Sequence, residues 1–153
     1  MKDHYRRLIK MYLGANIQKK FPGIQLEIQE NKASVTLDVD ESYHHAGGYL
    51  HGAIYFRILD DTCYFAFMSN EEEYFYVTRS FNIEYLRPYQ KGRIIARSTE
   101  IRQVGDDYHV DGIVYSEEGK ELARLNVHRD VVNCPDLSDM PRNAAEFNCC
   151  CHC

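Results

Sequence analysis

The stretch His51–Met68 constrains this chain more than any other part of it. Read at the helical period, HGAIYFRILDDTCYFAFM places apolar side chains on nearly every side. A helix of that kind must be covered all round, because it has no face to give to water. What could cover it is strand. Residues 33–39, Ala-Ser-Val-Thr-Leu-Asp-Val, alternate apolar and polar as a half-buried strand does, and a partner strand at 24–30 precedes them across Glu30-Asn31-Lys32. After the helix come runs at 74–86, 92–104, 108–115 and 121–132. They are separated by Arg87-Pro88, by Gly105-Asp106-Asp107 and by the hairpin signal Glu117-Glu118-Gly119-Lys120. Residues 3–19 read as an amphipathic helix with Leu8, Met11, Tyr12 and Ala15 near one face, broken at Phe21-Pro22-Gly23. The order predicts an α+β fold. An antiparallel sheet of five to six strands wraps one long buried helix, with an extra helix at the N-terminus.

The 153 residues suit one domain, expected over 1–135, with a loosely ordered polar tail at 136–153. Net charge is −5 and no lysine or arginine cluster stands apart, so a nucleic-acid partner is not expected. An anionic ligand such as coenzyme A needs only a few arginines and helix N–H groups. Leu8–Leu13 is too short and too interrupted for a signal core or a span, so no membrane partner and a cytoplasmic location are expected. Of the six cysteines, Cys149, Cys150, Cys151 and Cys153 crowd the last five residues around His152. That spacing neither wraps a zinc ion nor resembles a distributed disulfide framework. His44 and His45 lack a carboxylate or cysteine at ligand spacing. No metal is expected.

Asp60 and Asp61 lie mid-helix, where an ionised carboxylate is costly without partners. Asp61 has Arg57 four residues before it, a plain ion pair. Asp60 lies on a more apolar stripe, four residues from Phe56 on one side and from Tyr64 on the other. Such settings recur at catalytic positions, and also where a tyrosine hydroxyl satisfies a structural acid. At the helix start, Gly47, Gly48 and Gly52 allow close approach to N–H groups that carry partial positive charge.

His51-Gly52-Ala53, with Asp60 eight residues after Gly52, resembles the motif of the hotdog-fold acyl-CoA thioesterases, in their phenylacetic-acid-degradation branch. Val77–Pro88 followed by Lys91-Gly92 is similar to that family's next segment, and the likeness covers roughly residues 20 to 132. The resemblance implies Asp60 as general base or nucleophile, the Gly52 amide as the group polarising the thioester carbonyl, and Thr78 as a residue positioning water. His45 stands where some members carry asparagine, and Ala53 where a second glycine is usual. His51, Tyr64, Arg87 and Arg93 complete the expected substrate-binding set, the arginines meeting coenzyme A phosphates. Coenzyme A is then part of the substrate and no retained cofactor is implied. Self-association as a dimer or tetramer is implied as well.

Strand alternation groups Thr78 with Ser80, Asn82 and Glu84, opposite Phe81, Ile83 and Tyr85. On that pattern Thr78 points away from its own helix, and reaches a site only across a subunit boundary or through a bulge. The expected function is thioester hydrolysis of a small-to-medium or aromatic acyl-CoA. The rivals are a non-catalytic acyl-thioester binder and a hotdog hydratase or dehydratase.

Overall fold

The computed structural model describes residues 2–72, 76–105 and 107–130. The tail at 136–153, with Cys134 before it, lies outside the described residues. Two α-helices, α1 (Asp3–Gly14) and α2 (Gly52–Met68), accompany six strands. The strands are β1 (Gln25–Gln29), β2 (Lys32–Val39), β3 (Val77–Tyr85), β4 (Gly92–Val104), β5 (Asp107–Ser116) and β6 (Glu121–Asp130). They form one sheet in the order β1-β2-β4-β5-β6-β3, with every neighbouring pair antiparallel. The expected sheet around one long helix is what the chain builds.

Period-two burial fixes the concave face. Val35 and Leu37 on β2, Ile94 and Ala96 on β4, and Val110 and Val114 on β5 are all at 0% exposure. Ile58, Leu59, Thr62 and Cys63 of α2 meet them, also at 0%. Burying each such aliphatic side chain stabilises by about 1.5–3 kcal/mol. Gly112 on β5 lets helix and sheet approach this closely. A Cβ there would stand 2.8 Å from Cys63 Sγ and 3.2 Å from Leu59 Cδ2. Thr62 keeps its hydroxyl satisfied by donating to Ile58 O at 2.6 Å.

The N-terminal helix is shorter than its periodicity predicts. It ends at Gly14 because Ala15 turns extended (ψ 138°), and a 3-10 helix, Asn16–Lys20, follows. Tyr5, Leu8 and Tyr12 form its buried face. The β1–β2 turn places Asn31 at φ 58°, a left-handed conformation asparagine tolerates. The Asn31 amide donates to Ser69 Oγ at 2.8 Å, which ties that turn to the end of α2. No helix among the described residues is long and apolar enough to cross a membrane.

Candidate active site

Gly52, Phe56 and Asp60 recur every four residues, so they form one stripe along α2. Across from this stripe runs β3, an edge strand of the sheet. Three contacts cross the seam. At the helix start the Tyr85 hydroxyl donates to Gly52 O at 3.2 Å. Its ring lies so close that a Cβ on residue 52 would come within 3.1 Å. One turn on, the Phe56 and Phe81 rings pack at a tilt of 35° with centroids 4.0 Å apart. After another turn, Thr78 Oγ1 donates to Asp60 Oδ1 at 2.9 Å.

This last contact corrects the expected alternation. On β6 the ladder partners of Thr78 and Ser80 are adjacent residues, Arg129 and His128, so Arg79 is an extra residue in a β-bulge. The bulge shifts the phase by one. Thr78 therefore shares a face with Phe81, Ile83 and Tyr85, and meets the aspartate of its own chain. Both Asp60 and Thr78 are half-buried.

Asp61 faces another way, toward α1. It accepts from the Tyr12 hydroxyl at 3.0 Å and lies 3.6 Å from Arg57 Nη2, the ion pair its spacing predicts. Burial, and after it the negative charge of Asp61, drives the Tyr12 pKa far upward.

His51 caps α2 by accepting the Ala53 N–H on Nδ1 at 3.0 Å. This cap occupies the Ala53 donor and leaves the Gly52 amide as the first N–H of the helix. His45 accepts the Gly47 N–H on Nδ1 at 2.9 Å, and its ring centroid lies 6.4 Å from that of His51. An open pocket of about 420 Å³ adjoins this end, lined by Gly52, His45, Tyr49, Tyr55, Tyr85 and Arg87 among others. Burial, and after it the neighbouring Tyr89, pushes the Tyr55 hydroxyl up to about 12. Arg87 borders the pocket while its Nη1 donates to Glu121 O at 2.6 Å.

The structure thus gathers Gly52, His45 and Arg87 around one pocket and pairs Asp60 with Thr78 further along the seam. It does not bring Tyr64 or Arg93 into that lining. Tyr64 packs edge-on against Phe65 with centroids 5.1 Å apart. Arg93 makes a bidentate pair with Asp38 across β2 and β4, at 2.8 and 3.0 Å, which holds the aspartate below the usual carboxylate range. Sequence reasoning placed Phe56 on the Asp60 stripe but did not single out Phe81 and Tyr85 as parts of the site. Nothing local points to Tyr85.

A helix held in the curve of an antiparallel sheet is the hotdog fold. Solved structures share that fold. A thioesterase from Haemophilus influenzae superposes with a TM-score of 0.74 at 22% identity, covering 90% of this chain and 96% of its own. The PaaI protein of the phenylacetic acid degradation operon of E. coli gives 0.72 at 20% identity, covering 85% and 96%. A phenylacetic acid degradation-related protein of Ralstonia eutropha gives 0.69 at 17%, covering 83% and 98%. At these identities the likeness is one of fold. The sequence model of the thioesterase superfamily matches residues 47–123, just over half of the chain, and the chain belongs to that superfamily. No curated protein matches it.

Proposed function

We propose that this protein hydrolyses acyl-coenzyme A thioesters at a site shared between two copies of the chain. The observation that carries the reading is the Thr78–Asp60 hydrogen bond, which holds a half-buried carboxylate in a fixed pose on the open side of α2. The Gly52 amide is the natural partner for the substrate carbonyl. At the head of a helix it stabilises the negative charge that builds on the oxygen during attack. Eight residues of helix, at 1.5 Å each, separate it from the Asp60 of its own chain by about 12 Å. That is too far for one carbonyl to touch both, so the base at each site is Asp60 of the partner subunit.

Asp60 takes a proton from water as the water attacks the carbonyl carbon, or attacks that carbon itself. With water as nucleophile, its oxygen bonds to the carbonyl carbon, the carbon–sulfur bond breaks, and the thiolate of coenzyme A takes the proton held by Asp60 and leaves as thiol beside the free acid. With Asp60 as nucleophile, the thiolate leaves as an acyl–Asp60 anhydride forms, and water then splits that anhydride, restoring Asp60, releasing the acid and supplying the proton of the thiol. Thr78 keeps the carboxylate oriented. Tyr49, Tyr55 and Tyr85 favour a small-to-medium or aromatic acyl group beside Gly52. His45 and His51 shape the loop at the carbonyl, and Arg87 meets the phosphates of coenzyme A. Coenzyme A enters as part of the substrate and leaves as the free thiol, and this reading calls for no resident cofactor or metal. The edge strand β3, with Phe81 and Tyr85 exposed, suits self-association as a homodimer or a homotetramer. On this reading the protein works in the cytoplasm.

Thiol release across a broad acyl-CoA panel tests the reading. Turnover of at least one thioester, lost in Asp60→Asn with ligand binding kept, supports it. Binding without turnover in the unaltered protein would make it a binder.

A further inference from the structure

Asp60 and Asp61 are neighbours on one helix and have different electrostatic surroundings. Arg57 sits three residues before the first and four before the second, so its side chain is within helical reach of both. It is drawn to one. Arg57 Nη2 lies 3.6 Å from Asp61 Oδ2, with the two side chains only 16% and 24% exposed. Residues from outside the helix hold it there. Gln18 Oε1 accepts from the same Nη2 at 2.7 Å, and the Phe21 ring lies 3.9 Å from the guanidinium carbon. Tyr12 on α1 closes the group by donating to Asp61 Oδ2 at 3.0 Å.

Resting on the hydrolytic reading of Asp60, we propose that Arg57 is a positioning residue for the reaction. Held on Asp61 by the N-terminal segment, it cancels the negative charge next to Asp60 while being kept from pairing with Asp60 itself. An aspartate beside an uncancelled like charge resists ionising, and one locked to a cation is a weaker base. Arg57 on Asp61 offsets the first effect without itself producing the second. Among the described residues, the other titratable groups on α2 and β3 are Tyr55, Cys63 and Tyr64 on α2, and Glu84, Tyr85 and Arg79 on β3, with Tyr43 following β2; Arg79 Nη2 lies 3.6 Å from Asp107. All of them stay unchanged in the variants below.

The test is a pair of substitutions with opposite signs. Asp61→Asn removes the charge that holds Arg57 and lets the guanidinium turn to Asp60, which favours the carboxylate. The acid limb of kcat/KM moves down by about one pH unit, and kcat falls. Arg57→Met leaves Asp61 uncancelled beside Asp60, and the acid limb moves up by about one unit. The double variant returns it to within about 0.3 units of the starting protein. A purely structural role would lower Tm in both single variants without displacing the limbs in opposite directions. Displacement in the same direction, or none, overturns the proposal; Arg57→Gln serves if the methionine variant does not fold. Carbon-13 NMR titration of the Asp60 carboxyl in the same full-length variants gives an independent readout. If no thioester is turned over but these titrations still diverge, the hydrolytic reading fails and the charge partition stands. If the titrations coincide, the partition fails.

Discussion

Helix α2 has two working faces, and they follow different rules. Toward the sheet, Ile58, Leu59, Thr62 and Cys63 are wholly excluded from water, and Gly112 brings the backbone of β5 within contact. Toward β3, Gly52, Phe56 and Asp60 are only half-buried, and two residues they meet, Phe81 and Tyr85, are 42% and 52% exposed. One face supplies the apolar burial that holds the helix in place. The other carries the polar groups, in a setting dry enough to fix a carboxylate and open enough to admit a ligand. A reactive group can sit in that second setting because the first does not depend on it.

Asp60→Asn should break this contrast most sharply. Turnover falls by about 10²–10⁴-fold, while Tm changes little because the amide keeps the volume and can still accept from Thr78. Thiol release and calorimetry on one sample measure both. Leu59→Ala, one residue away on the other face, should do the reverse. It removes about 2–5 kcal/mol in urea unfolding and leaves kcat per folded molecule unchanged. Thr78→Val sharpens the seam itself, lowering kcat/KM by about tenfold with at most about 1 kcal/mol lost in stability. Gly52→Ala has the smallest effect. Its Cβ would meet the Tyr85 ring at 3.1 Å, but that ring is the far end of an exposed side chain and can turn aside. Stability should hold or rise by about 0.4–1 kcal/mol, with kcat/KM down about threefold.

Much of the fold was legible because burial leaves a periodic trace. The two-residue alternation at Val35 and Leu37 marks strand, and the absence of a polar face at 52–68 marks the enclosed helix. The Arg57–Asp61 pair was legible too, since helical spacing makes four residues a contact distance. The end of α1 was less so, because the apolar period runs on past Gly14 while the backbone at Ala15 does not. The alternation left Thr78 two routes to the site, a subunit boundary or a bulge, and could not choose the bulge that the strand pairing shows. A bulge arises in the pairing of two strands, and the alternation of one strand carries no record of it. Arg93 looked available from its neighbours in the chain, and only the β2–β4 register brings Asp38 against it.

The amino-acid sequence alone determined the helix that must be enclosed, the strands that enclose it, and the glycine and aspartate set two turns apart, since each follows from local period and side-chain chemistry. The tertiary structure decided which carboxylate Arg57 would neutralise, which face Thr78 would take, and which aromatic residues close the seam. Those outcomes depend on residues far apart in the chain meeting at angstrom distances, and a one-dimensional pattern holds no distances between them.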